Sequence, residues 1–184
     1  MTDEFKIKFR GVRGSYPVAN KDFLRYGGNT SCIEVRAGGH LIILDAGTGI
    51  ISLGNELMKQ YIESGTTITD RIPVKCTLLL THIHLDHIQG FPFFRPSHVA
   101  STKMNLMGGV GYNENIKDEL AQLLFTKSFP LDFGDIAADL NIINLNETNY
   151  IIFKNDESPK VVRVNELKEG EYTDDDVVIT CYKS

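Results

Sequence analysis

Residues 81–87 read Thr-His-Ile-His-Leu-Asp-His. Three of the chain's five histidines, His82, His84 and His87, fall in this window, with Asp86 among them. Neutral imidazole and carboxylate are the donors that zinc, iron and manganese take. The window directly follows the apolar run at residues 74–80, which reads as a central strand. If that strand continued, His82 and His84 would share a face, because side chains alternate along a strand. Asp86 and His87 come after the chain has turned and can address a second position. The pattern therefore suits two metal ions rather than one. A histidine-rich surface turn is the ordinary alternative, and four such donors clustered at the end of a buried strand disfavour it.

Other elements must hold this loop in place. Phe5, Ile7 and Phe9 alternate with Lys6, Lys8 and Arg10, the pattern of a half-buried strand, which runs into a loop at Gly11 and Gly14. Residues 31–37 read as a second strand, Gly38-Gly39 as a hairpin turn, and residues 41–44 as a strand covered on both faces. His40, in that turn, reads as a surface residue. The third strand stops at Asp45-Ala46-Gly47-Thr48-Gly49. Ile50, Leu53, Leu57, Met58 and Tyr61 then recur at helical spacing, and the helix ends near Gly65. Residues 103–107 predict a strand. Ile116, Leu120, Leu123 and Leu124 predict a helix capped by Asn113 or Asn115. Residues 140–145, 150–154, 160–164 and 177–182 read as strands, and the acid-rich stretch among them as a solvated hairpin region. Phe91, Phe93 and Phe94 could wall a base-stacking pocket, although core packing is the commoner use of aromatics. The order predicts one mixed α/β layered domain over residues 1–184.

Composition narrows the function classes. The chain has 184 residues, 24 acids against 19 bases and a net charge of −5. A protein that grips nucleic acid through its backbone usually carries a basic face, so this balance disfavours that class without removing it. Cys32, Cys76 and Cys181 are odd in number and far apart, which gives no disulfide framework. The charged, alternating N-terminus is no signal peptide, and no apolar run approaches a membrane span. A cytoplasmic location and no membrane contact are expected.

Beyond the histidine window, four further stretches carry a family likeness: Gly11-Val12-Arg13-Gly14-Ser15, Tyr26-Gly27-Gly28-Asn29-Thr30-Ser31-Cys32, Asp45-Ala46-Gly47-Thr48-Gly49 and Gln89-Gly90-Phe91-Pro92-Phe93-Phe94. With them the chain resembles the metallo-β-lactamase superfamily. Within it, the chain is similar to the bacterial metal-dependent hydrolases grouped with cyclic-nucleotide phosphodiesterases, ribonuclease Z and the phosphonate-pathway phosphodiesterase. The likeness runs from residue 5 to about residue 107 and thins beyond. It implies an α/β fold, an αββα sandwich with two divalent transition metals at one edge of its sheets. Zinc is the first expectation, with manganese or iron as alternatives. It also implies that His82 and His84 hold one metal, Asp86 and His87 the other, and that Asp45 steadies the histidine loop from behind the ligands. Cap preference gives Asp45 a second reading as the N-cap of the following helix. The implied reaction is attack on a phosphodiester by water whose pKa two metals lower toward ~7. Asp86 would orient that water or take its proton. Arg13 and Asn29 lie in loops that the likeness brings near the metal edge, where either could donate to a phosphate oxygen. An ordinary surface arginine is an equal reading of Arg13.

The chain departs from the pattern in one respect. The family's dinuclear site also uses a later His, a later bridging Asp and a final His. After His87 only His98 remains, and it matches none of these positions. Relatives in the branch are longer, with a His-Pro segment after a strand resembling residues 177–181. The expectation is an N-terminal part of the fold, incomplete at the C-terminus, whether truncated, completed by a separate chain, or having lost catalysis. Alone it should be inactive, with open edges and an uncovered apolar face among the strands after Leu140. The expected partners are a small-molecule or nucleotide phosphodiester and either a second copy or the missing C-terminal part. Two rival readings stand: hydrolysis of a lactone or thioester on the same scaffold, and a non-catalytic metal-binding or regulatory module that lacks the closing ligands.

Overall fold

The aliphatic run at the chain's third strand is the point from which a six-stranded sheet extends to both sides. A computed structural model describes residues 5–109, 115–127, 129–145, 148–155 and 157–182. In it, β1 (Lys6–Gly11), β2 (Cys32–Ala37), β3 (His40–Leu44), β4 (Lys75–Leu80), β5 (Lys103–Gly109) and β6 (Asp139–Leu145) lie side by side in chain order. The first three run antiparallel, and from β3 onward neighbours are parallel. Gly38 and Gly39, at φ +52° and +79°, close the two-residue hairpin between β2 and β3 in a backbone region open to glycine at no steric cost.

Parallel pairing requires crossovers, and these supply the helices. α1 (Gly49–Glu63) joins β3 to β4, the single turn α2 (Leu85–Ile88) follows β4, and α3 (Ile116–Leu124) precedes β6. Ile50, Leu53 and Leu57 of α1 and Leu120 and Leu124 of α3 bury against Leu78, Leu106, Phe91 and Phe94 on one face of the sheet. Phe91 and Phe94 are thus core residues, whereas Phe93 is exposed and meets Phe129 edge-on at 5.6 Å. Asn115 caps α3, its side chain accepting the Lys117 N–H at 2.9 Å. Asn113 lies outside the described residues.

A second sheet of β7 (Asn149–Phe153), β8 (Lys160–Arg163) and β9 (Val177–Cys181), in the order β8-β7-β9, packs on the other face. Ile151, Phe153, Val177 and Ile179 close a second core over Ile42, Leu79 and Met107. The layers therefore run helix, sheet, sheet. Among the described residues no α-helix covers the outer side of the small sheet. That side is nevertheless filled: Ile152 and Val162 are buried, and Tyr172 stacks on Tyr150.

The uncovered apolar face expected after Leu140 lies instead on β1. Phe5, Ile7 and Phe9 are 70%, 50% and 66% exposed. Ile7 pairs with Val35, and Val35 packs into the second core, so this is the face that meets the small sheet. Three strands reach across β2 to β6 and leave β1 bare. His40 also departs from expectation. It opens β3 and packs its ring 5.2 Å from Phe153, so it belongs to the contact between sheets rather than to a surface turn. Among the described residues no helix is long and apolar enough to cross a membrane.

The opposite face of β1 is tied to α1 by charge. Arg10 and Glu34 have buried side chains, and Arg10 Nε donates to Glu34 Oε2 at 2.8 Å. Glu34 also takes Arg36 Nε at 2.7 Å, and Arg10 Nη1 reaches Glu56 Oε2 on α1 at 2.7 Å. Glu34→Ala removes the buried partner and leaves Arg10 with Glu56 alone, so it should cost about 2 kcal/mol. Chemical denaturation at pH 7 measures this. The hydrogen bond from Arg10 holds the Glu56 carboxyl below its ordinary value. A carboxylate depressed in the folded state adds stability above its unfolded pKa, which is lost as pH falls through the folded one. Glu56→Gln should therefore narrow the gap in melting temperature between pH 7 and pH 3 relative to the wild type.

Candidate metal centre

β3 and β4 are parallel, with Leu44 opposite Leu79, so the loops leaving their carboxyl ends emerge together. One carries Asp45 and the other the histidines. Asp45 has φ +61°, a left-handed conformation that Asp tolerates better than most residues. Its N–H bonds the Leu79 carbonyl at 2.9 Å and its side chain is buried. Oδ1 accepts the Thr81 N–H at 2.9 Å and the Thr81 hydroxyl at 2.8 Å. Oδ2 accepts the Ser31 hydroxyl at 3.1 Å and lies 2.7 Å from His87 Nδ1. These four contacts use the full acceptor capacity of a carboxylate. The N-cap of α1 is Thr48, so the capping alternative for Asp45 is set aside.

This carboxylate sets the imidazoles. An ionised Asp45 can only accept, so the proton shared with His87 sits on Nδ1 and leaves the Nε2 lone pair available. Thr81 has one hydroxyl proton and gives it to Asp45. Toward His82 Nδ1, 3.1 Å away, its oxygen therefore accepts, and His82 too is left with a free Nε2 lone pair. The His82 ring centroid is 4.0 Å from that of His87 and 4.6 Å from that of His84. Partial burial, then the neighbouring His87 and His84, hold the His82 imidazole below its ordinary pKa, which favours the neutral ligating form. Asp86 Oδ2 is 3.6 Å from His87 Nε2 and accepts the Ser15 N–H at 2.8 Å. That backbone bond is the main cause holding the Asp86 carboxyl below its usual range.

Backbone contacts lock the two loops together. The Ala46 N–H donates to the His87 carbonyl at 2.6 Å, and the Gly90 N–H to the Ala46 carbonyl at 2.8 Å. A Cβ on Gly47 would fall 2.3 Å from the Asp86 carbonyl oxygen, so only glycine fits that approach. β4 ends at Leu80, so the strand does not continue through His82 and His84 as the alternation argument required. The rings converge because the chain turns into α2, with His84 at its N-cap.

The structure thus brings His82, His84, Asp86, His87 and Asp45 together. Arg13 and Asn29 are engaged elsewhere. Arg13 lies with its guanidinium carbon 4.8 Å from the Tyr16 ring and 4.5 Å from the Phe23 ring, and its Nε donates to the Tyr16 carbonyl at 2.9 Å. The Asn29 carbonyl takes the N–H groups of Val12 and Arg13, and its side chain accepts from the Thr48 hydroxyl. His98 Nε2 lies 3.0 Å from the Pro92 carbonyl, away from the cluster. Thr81, Ser31 and Ser15 are contributors to which residue patterns gave no role. Each had a signal only by position, Thr81 inside the histidine window and Ser15 and Ser31 inside the stretches that carry the family likeness.

In chemistry the donor set suits a divalent transition metal: three imidazoles in ring contact, two with Nε2 set free by hydrogen bonding, and a carboxylate beside them. As arranged, no group of three or more His, Cys, Asp or Glu side chains among the described residues is set to hold an ion. His82 and His84 are exposed, so an ion could reach them from solvent. Burial pushes the Cys32 and Cys76 thiols up to about 12, so neither is a nucleophile.

Residues 25–171 match the sequence model of the metallo-beta-lactamase superfamily, and the chain belongs to that superfamily. Its members are generally hydrolytic and typically bind divalent metals, usually zinc. Among solved structures, the chain is similar to the metallo-beta-lactamase fold protein YhfI from Bacillus subtilis, at 16% identity and TM-score 0.45, covering 82% of this chain and 52% of that one. It is also similar to a metallo-beta-lactamase-like protein from Thermotoga maritima, at 19% identity and TM-score 0.36, covering 78% of this chain and 59% of that one. The chain thus spans little more than half the length of either. No curated protein sequence matches.

The hydrogen-bond chain from Asp45 predicts tautomers. In metal-free protein, the nitrogen chemical shifts of His82 and His87 should report Nδ1–H for both. Thr81→Val should release His82 to a mixture while leaving His87 unchanged, and Asp45→Asn should disturb both. An Nε2–H tautomer at either ring in the wild type would overturn this account.

Proposed function

We propose that this superfamily member is a metal-dependent hydrolase of phosphodiesters, with zinc as the first candidate ion and manganese or iron as alternatives. The observation that carries the reading is the Asp45 carboxylate, which holds His87 directly, beside Asp86, and His82 through Thr81, so that their Nε2 lone pairs are left for a ligand. His82 and His84 would hold one ion, and Asp86 and His87 another. When bound, such ions lower the pKa of water and polarise a phosphoryl oxygen. Asp45 aims two imidazoles, His87 directly and His82 through Thr81. Asp86, a depressed carboxyl and so ionised at neutral pH, would orient an attacking water and accept its proton. Phosphodiester over lactone or thioester rests on the sequence likeness in the glycine-rich loops. The net charge of −5 favours a small or nucleotide diester over a long nucleic acid. The free thiols fit a reducing, cytoplasmic setting.

We also propose that residues 1–184 form one domain whose four donors do not sustain turnover by themselves. Two metals would have about two protein donors each, where catalytic zinc usually takes three. A second copy or a C-terminal part would supply the rest. The lack of a formed ligand set among the described residues also favours, as a second reading, a module that binds metal without catalysis.

Elemental analysis after loading with zinc or manganese, paired with a panel of bis-p-nitrophenyl phosphate, cyclic nucleotides, lactones and thioesters, tests these readings. The assay compares the 184-residue chain with any native form that extends past Ser184. Metal uptake by both and diester turnover by the longer form alone are expected. His82→Ala and His84→Ala should lower metal content, while Asp86→Ala should cut kcat more than metal content. Turnover by the 184-residue chain that His84→Ala abolishes would show that four donors suffice. Metal uptake with no turnover in any form would favour the module, and no uptake in any form would remove the metal reading.

A further inference from the structure

Ser15 is exposed, non-glycine and at φ +71°. The Tyr16 N–H bonds the Gly14 carbonyl at 3.0 Å across it, closing a three-residue turn. Turns of this kind with a positive central φ are the rare, strained form. Backbone strain of this kind persists only where surrounding contacts impose it. Here Arg13 imposes it. Its N–H bonds the Asn29 carbonyl at 3.0 Å, and its main chain bridges to Thr30, which anchors the base of the turn. Its guanidinium lies against the Tyr16 and Phe23 rings while its Nε holds the Tyr16 carbonyl, which fixes the far side. The product of this strain is one oriented donor: the Ser15 N–H, aimed at Asp86 Oδ2 from 71 residues away in sequence.

We propose that the Ser15 turn, clamped by Arg13 against Tyr16 and Phe23, is a positioning device that fixes the Asp86 carboxylate beside His87. Asp45 orients the histidine loop from its buried side, and the Ser15 turn orients it from the solvent side. Arg13 then acts through Asp86 rather than on substrate. In its functional sense the proposal rests on the metal reading given above, whereas the positioning itself is open to test without metal.

The first measurement is hydrogen exchange of the Ser15 amide in the metal-free 184-residue chain. Wild type should protect it. Asp86→Ala removes the acceptor, and Arg13→Ala removes the clamp; each should speed exchange about tenfold or more. Arg13→Lys keeps the charge but loses the planar stack and the Nε bond, so it should behave like Arg13→Ala. Ser15→Gly keeps the N–H and relieves the strained φ, so it should retain protection. The second measurement is titration with cobalt(II) alone, read by its visible absorption. Both Arg13 variants should weaken binding about tenfold, as expected for loss of a partner that orients a ligand. Melting curves within a few degrees of wild type would separate these effects from unfolding. Unchanged protection in Arg13→Ala would overturn the proposal, as would full rescue by Arg13→Lys, which would indicate a charge contact instead. If wild type takes up no cobalt, the metal reading fails for the 184-residue chain, and the exchange data still decide whether Arg13 and Ser15 position Asp86.

Discussion

One buried carboxylate organises this end of the molecule. Asp45 is taken out of water, and such a group is costly unless its acceptor sites are filled. They are filled by Ser31 at the mouth of β2, by two donors on Thr81 after β4, and by His87 at α2. Three separated stretches of chain are thereby held to one point. The same bonds decide which nitrogen of His82 and His87 carries hydrogen. Folding energy and ligand chemistry thus share one set of hydrogen bonds, and a change that weakens one weakens the other.

The sheet makes this arrangement available. Parallel β3 and β4 end side by side, so whatever follows them shares an edge. α1 and α3 seal one face with aliphatic and aromatic side chains, and the small sheet seals the other. Rigid strands position the loops, and the loops carry the chemistry. The glycine at position 47 lets the two loops touch through backbone, with no side chain between them.

Exposure is unevenly distributed. The second core spans β2 to β6, while β1 keeps Phe5, Ile7 and Phe9 in water. The other face of β1 is closed by the Arg10, Glu34 and Glu56 network, so the strand is secured by charge on one side and left apolar on the other. The superfamily's hydrolytic character is consistent with the donor set, and the identity of the substrate is a matter of loops rather than of scaffold.

Much of this was written in the sequence. Alternation and helical spacing placed the strands and both long helices, because those periods follow from local backbone geometry. The histidine window pointed to metal binding, since clustered imidazole and carboxylate have few other uses. What the sequence left open were matters of distance. Asp45 reads first as a support and second as a cap. Thr48 takes the cap position, while Thr81 and His87 approach Asp45 across 36 and 42 residues. Arg13 read equally as a surface residue or a phosphate donor, and its place against Tyr16 and Phe23 gave it a third occupation. The half-buried reading of Phe5, Ile7 and Phe9 fails for the same reason: alternation says that a face is apolar, but only the reach of another sheet says whether it is covered. Local periods are set by neighbours in the chain, whereas hydrogen-bond partners and cover are set by neighbours in space.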